Sequence, residues 1–239
     1  MLRSLQSALR NLPMPGLFRA RRRVAVPARA SAAEIFTDIY ERNGWRGKES
    51  VSGTGSDPEQ TRRLIAVLPE LFRDFGIRSI LDAPCGDFSW MRHVDLGNIA
   101  YLGGDIVDDL IVRNQAHARE GVAFRRIDLL NDVLPAVDLI LCRDCLVHFS
   151  FEYIFQALAN LCASNATYLL TTTFPLWRRN RVIQTGQFRP LNLELAPFRL
   201  PPPLRRLEEG CTEARGRYAD KSLGLWRIAD IRKSLNASA

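Results

Sequence analysis

Apolar residues recur along this chain with two periods, and the period switches repeatedly. Residues 58–75 place Leu64, Ile65, Leu68, Leu71, Phe72 and Phe75 at three- and four-residue spacing, and Gly76 ends the run, which predicts a long helix. A shorter helix is predicted upstream. It opens at Ser31 with Glu34 three residues on, the spacing of a capping box, and carries Ile35, Phe36, Ile39 and Tyr40 as far as Asn43-Gly44. From Arg78 onward, short apolar runs alternate with helical stretches. Strands are predicted at 78–82, 100–105, 122–127, 137–142 and 166–173, and helices at 87–93, 107–119 and 151–162. Two further strands are predicted at 204–208 and 223–228. Such alternation gives an α/β fold with a mostly parallel sheet. The run Thr167-Tyr168-Leu169-Leu170-Thr171-Thr172-Thr173 is β-rich enough to be a central strand.

Two stretches break the rhythm. Residues 45–57 are polar and glycine-rich, with Ser52-Gly53-Thr54-Gly55-Ser56 at their centre, and read either as a connector or as a lid. Residues 175–203 form a long irregular segment ending in Pro201-Pro202-Pro203. A loop of that length inside a domain is usually functional.

Candidate chemistry gathers at the ends of the predicted strands. Ile80-Leu81-Asp82-Ala83-Pro84-Cys85-Gly86-Asp87-Phe88-Ser89-Trp90 reads as a buried strand, a sharp turn at Pro84 and Gly86, and a helix capped by Asp87 or Ser89. Backbone N–H groups at such a junction face a ligand above the strand. The next two strands end in Asp105 and Asp128. A carboxylate about 20 residues after the first turn is placed to take a ribose diol. Acidic strand ends suit a ribose, an adenine amine and a cation, and they repel a pyrophosphate. Pro84 and Phe88 stand where a G-x-G-x-x-G turn needs glycine, which disfavours a nicotinamide-dependent oxidoreductase.

The series Leu81-Asp82-Ala83-Pro84-Cys85-Gly86-Asp87-Phe88, Asp105, Asp128-Leu129 and Asp138-Leu139-Ile140-Leu141-Cys142-Arg143-Asp144 resembles the class I S-adenosylmethionine (SAM) methyltransferases from about Ile35 to the C-terminus. The resemblance implies a Rossmann-like, seven-stranded, mostly parallel sheet with helices on both faces, its last two strands an antiparallel pair. It implies SAM as cofactor. Asp82, Ala83, Pro84 and Gly86 would belong to the first motif, Asp105 and Ile106 would face the ribose, and Asp128 and Leu129 the adenine. Arg143 would position cofactor or acceptor. It also implies that residues 45–57 close over SAM. The resemblance is to a bacterial group associated with glycan or small-molecule methylation.

Transfer to an oxygen needs a base, because an alcohol must lose its proton. His148 lies four residues after Asp144. On a helical turn the two would share a face, with Asp144 orienting the imidazole. Asn180, Arg189 and Asn192, on the 175–203 segment, are candidate acceptor ligands, since amides and guanidinium forks read hydroxyls. His93 and His117 fall in predicted helices and read as surface or packing residues, and Trp90 and Met91 as core. No cluster of His, Asp and Glu has metal-ligand spacing. RNA or protein as acceptor remains a competing reading, as does an assembly factor that keeps the SAM fold without catalysis.

Charge alters the choice of partner. The net charge is +7, from 33 basic and 26 acidic residues. Residues 1–30 hold seven arginines and no acid, so 33 minus 7 leaves 26 basic against 26 acidic in the remainder. A neutral body argues against a nucleic-acid face. The first 30 residues read as a basic tail able to touch an anionic membrane, or as a mitochondrial transit peptide. Five cysteines without framework spacing, including the lone Cys142-x-x-Cys145 pair, point to thiols in a reducing, cytoplasmic setting.

Overall fold

The computed structural model of the protein describes residues 30–237. Residues 1–29, on which the tail and transit-peptide readings fall, lie outside the described residues.

Seven strands form one sheet in the order β3-β2-β1-β4-β5-β7-β6. They are β1 (Ser79–Asp82), β2 (Ala100–Asp105), β3 (Val122–Arg126), β4 (Leu139–Cys142), β5 (Tyr168–Thr173), β6 (Arg205–Glu208) and β7 (Ser222–Arg227). The first five are parallel, and β7 runs antiparallel to both β5 and β6. The sheet order reverses at β1, whose neighbours are β2 and β4. Ligands of open α/β sheets bind at such a point, beyond the carboxyl ends of the strands.

Alternate residues of each strand feed two cores. Leu81, Ile140, Cys142, Leu169 and Trp226 join one cluster, with Ile154, Leu158 and Leu161 of α4 (Phe151–Ala163) and Ile231 of a C-terminal helix (Ile228–Ala237). Ile80, Leu139, Leu141, Leu170, Leu223 and Leu225 join the other, with Leu64, Leu68, Leu71 and Phe72 of α2 (Pro58–Asp74). The period-2 alternation of a strand buries both faces. α1 (Ala32–Glu41) begins at the expected capping box: Glu34 N donates to Ser31 Oγ, and Ser31 N to Glu34 Oε2 at 2.8 Å. Among the described residues, no helix is long and apolar enough to cross a membrane.

Three expectations need correction. The helix over 87–93 is absent, and only a 3-10 turn at Met91–His93 forms. Gly86 and Phe88 both take positive φ, +56° each, and Asp87 Oδ1 accepts from Ser89 N at 3.2 Å. These local bonds and left-handed residues compete with helix initiation. The helix over 107–119 shortens to α3 (Asp108–Asn114) followed by a 3-10 turn at Gln115–His117. The C-terminal helix (Ile228–Ala237) follows the strand expected at 223–228, where the sequence predicts no further element.

Candidate active site

The carboxyl ends of β1, β2 and β4 open into a cavity of about 1030 Å³. Its lining includes Asp82, Ala83, Pro84, Gly86, Asp105, Ile106, Asp128, Leu129, Arg143, Asp144 and His148. All the expected cofactor and catalytic residues therefore meet in one place. The floor is acidic. Asp82 accepts from the Tyr101 hydroxyl at 2.6 Å, and burial pushes its carboxyl up to about 7 against that bond. Asp105 accepts from Gly86 N at 3.1 Å on one oxygen and from Val107 N at 3.0 Å on the other. Burial still raises it to about 6, although both N–H groups pull it down. Each Asp105 oxygen retains an accepting lone pair for a ligand hydroxyl.

Asp128 shapes its own turn. Its carboxylate accepts from Leu130 N and from Asn131 Nδ2, both at 2.8 Å. The turn holds Leu129 against the cavity.

Residues 45–56 cover this cavity. Val51 N donates to Asp87 Oδ2 and Asp87 N to Ser52 Oγ, each at 3.1 Å. Thr54 Oγ1 donates to Glu213 at 2.6 Å. Gly86 is required under the cover: its φ is +56°, and a Cβ there would collide with Ser52. Trp45, from the same segment, stacks 5.0 Å from the His148 ring.

A second cavity of about 710 Å³ shares Trp45, Ser52, Asp144 and His148 with the first and adds Phe174, Phe188, Tyr218, Glu213 and Lys221. His148 therefore lies between the two spaces. Its Nδ1 faces the Gln187 carbonyl oxygen at 3.0 Å. As Nδ1–H it donates there, which leaves Nε2 as the basic nitrogen. Burial holds the imidazole below its ordinary pKa against the pull of Asp144.

The expected Asp144–His148 hydrogen bond does not form. Residues 146–148 make a 3-10 turn, not an α-helical one, and the Asp144 carboxylate is taken elsewhere. Lys221 Nζ donates to its Oδ2 at 2.6 Å and Thr172 Oγ1 to its Oδ1 at 3.2 Å. Asp144 belongs to a largely buried charge cluster. Arg143 pairs with Glu209 at 2.6 Å and Lys221 lies 3.5 Å from Glu209. Burial alone would raise the Asp144 carboxyl, but Lys221 and Arg143 outweigh it and hold it low. Burial would likewise lower Arg143, yet the Glu209 and Asp144 carboxylates hold it above its ordinary value. The Arg143 guanidinium also donates to Gly55 O at 2.7 Å and lies 5.4 Å from the Trp90 ring. Arg143 thus ties the cover to the sheet.

The three expected acceptor ligands do not line either cavity. Asn180 Nδ2 donates to the carbonyls of Asn192 and Ala196, both at 2.9 Å. Asn192 Nδ2 donates to those of Pro175 and Trp177, both at 3.1 Å. Arg189 is fully buried, donates to Phe149 O at 2.7 Å and stacks 5.0 Å over Phe151. With no acid beside it, burial lowers its guanidinium to about 10. The two asparagines satisfy carbonyls of their own irregular segment and Arg189 that of Phe149 in the turn after β4, as a folded chain must where water is excluded. Sequence reasoning missed Glu209, Glu213, Lys221 and the aromatic wall of Phe174, Phe188 and Tyr218. Only the β5–β7 pairing brings Lys221 to Asp144, and no local motif announces it.

No family model and no curated protein matches the chain. Solved structures do match. Human N-acetylserotonin methyltransferase in complex with SAM aligns at 15% identity and TM-score 0.59, covering 83% of this chain and 60% of that one. Magnesium protoporphyrin IX methyltransferase from Synechocystis PCC 6803, with bound SAM, aligns at 16% identity and TM-score 0.59, covering 84% and 99%. The N-methyltransferase NodS from Bradyrhizobium japonicum WM9 aligns at 15% identity and TM-score 0.53, covering 72% and 98%. This chain thus spans about three fifths of the human enzyme and nearly all of the two bacterial ones. With the seven-stranded order, the reversed β7 and the acidic strand ends, the agreement shows that the chain has the class I SAM-dependent methyltransferase fold.

Proposed function

We propose that the protein is a SAM-dependent methyltransferase that acts on an oxygen of a small molecule or sugar. The observation that carries this reading is the junction of the two cavities at His148, with Asp82, Asp105 and Asp128 on the floor of the first and an aromatic wall in the second. The residues fit the cofactor. Asp105, with Ile106 beside it, would hold the ribose hydroxyls, and Asp128 and Leu129 would flank the adenine. Ala83, Pro84 and Gly86 would pass beneath the amino-acid end, and the acidic floor would favour a sulfonium cation. The loop after β1 begins no α-helix, so it offers no helix dipole for a diphosphate.

When bound, SAM supplies an electrophilic methyl carbon. This chain's residues then have three tasks. The cover and the aromatic wall exclude water. The second cavity would hold the acceptor with its oxygen toward the first cavity. His148 Nε2 would accept the proton that the acceptor hydroxyl gives up on methylation. Gln187 would fix the tautomer, and Asp144 anchors the turn after β4 through Lys221 and Thr172.

Isothermal calorimetry tests the cofactor assignment. SAM and S-adenosylhomocysteine should bind and NAD should not. Asp105→Ala should weaken SAM by about 1.5–3 kcal/mol, the worth of hydrogen bonds to a charged group. NAD binding without SAM binding would reject the proposal.

A further inference from the structure

Residues 176–188 hold three exposed arginines, Arg178, Arg179 and Arg181, and no acid. Leu176 and Val182 bracket them and are 79% and 77% exposed. The segment is anchored. Leu176 N donates to Asp220 Oδ2 at 2.9 Å, and the Trp177 ring lies 6.3 Å from that of Tyr218. The Arg217 guanidinium lies 5.8 Å from the Trp177 ring, so Arg217 and nearby Arg215, both exposed, extend the same surface. Among the described residues, none of these five arginines forms an ion pair. Asp220 is spent on a backbone N–H, and Glu213 on Thr54.

We propose that this surface docks the protein on an anionic phospholipid bilayer. Unpaired arginines interleaved with exposed aliphatic side chains match that partner on both counts. Guanidinium groups pair with lipid phosphates while Leu176 and Val182 enter the headgroup–acyl boundary. Single-stranded nucleic acid fits less well, because it needs free aromatic faces for its bases. Trp177 is already held between Tyr218 and Arg217, and the exposed side chains at the two ends of the arginine run are aliphatic. Phe188 and Tyr218 line the second cavity, so docking here sets that cavity beside the membrane. The docking inference does not depend on methyl transfer.

All five native cysteines are buried, so Val182→Cys in the full chain accepts a thiol-reactive, environment-sensitive fluorophore selectively. Vesicles of equal parts phosphatidylglycerol and phosphatidylcholine should shift its emission to the blue at physiological ionic strength, and pure phosphatidylcholine should not. Arg178→Glu/Arg179→Glu/Arg181→Glu should weaken the response about 10²-fold, at about fivefold or more per arginine. Leu176→Asn, which leaves charge untouched, should also weaken it and keeps the test decisive if the triple variant unfolds. Co-sedimentation with unchanged, water-like emission would place the contact elsewhere on the chain and overturn the proposal. An equal response to neutral vesicles would overturn it, as would a response to an oligonucleotide but not to vesicles.

Discussion

The tautomer of His148 is set by one backbone carbonyl. Gln187 O lies 3.0 Å from Nδ1, so the second nitrogen is free to accept a proton. His148→Ala should lower kcat by about 10²-fold with the SAM Kd unchanged, measured by single-turnover kinetics and calorimetry. The wild-type rate should rise with pH as the imidazole loses its proton. Burial holds that pKa below its ordinary value, so the rise should lie on the acid side of that of a free imidazole. Near-normal turnover in the variant, with a lowered Tm, would make His148 a packing residue. Asp144→Asn should behave differently. It weakens the 2.6 Å bond from Lys221, itself 3% exposed, and should cost about 1.5–3 kcal/mol of stability in urea unfolding. If Asp144→Asn instead reduced turnover alone, the charge cluster would not be its main role.

At the scale of elements, the 175–203 segment is a scaffold with one edge on the second cavity. Its amides point inward to carbonyls of the same segment, while Phe188 turns to the second cavity. Asn192→Ala would leave the carbonyls of Pro175 and Trp177 and the Glu194 N–H without their partner. The expected loss is about 2–4 kcal/mol, read as a fall in Tm, with the acceptor KM unchanged at a temperature where the variant stays folded. A raised KM at full stability would return Asn192 to the acceptor site. The loop after β1 teaches the complementary point. The sequence predicts Asp87 or Ser89 as a helix cap, but Asp87 instead ties together the cover and the turn.

For the whole molecule, the site's acids oppose the fold's stability. Asp82 and Asp105 are raised to about 7 and about 6, against about 3.9 for an unfolded aspartate. The folded state binds the extra protons, so these groups favour folding below about pH 4 and lose that contribution as pH rises towards about 7. In urea unfolding without SAM, the wild type should therefore lose stability between pH 5 and pH 8. Asp82→Asn should lose less over that interval, by on the order of 1–3 kcal/mol, because its amide oxygen still accepts from Tyr101 and carries no charge. An identical pH profile for both proteins would show that Asp82 is not raised.

The sequence by itself determined the sheet and the acidic floor of the first cavity. The apolar runs of β1, β4, β5 and β7 bury two faces, so their residues are legible without knowing the neighbours. Asp82 and Asp105 end strands, and Asp128 follows β3 closely, so strand direction alone brings them to one edge. Tertiary structure decided the remainder. Asp144 gained Lys221 because β7 pairs antiparallel with β5 and carries residues 213–221 past the end of β4. His148 donates its hydrogen bond to the Gln187 carbonyl because the 175–203 segment folds back over the turn after β4. Asn180 and Asn192 turned inward to satisfy carbonyls of their own segment, and Arg189 to satisfy that of Phe149 in the turn after β4. Such pairings join residues tens of positions apart, where neither period nor motif spacing carries information, and the free energy of burial selects the partner only once the sheet is closed.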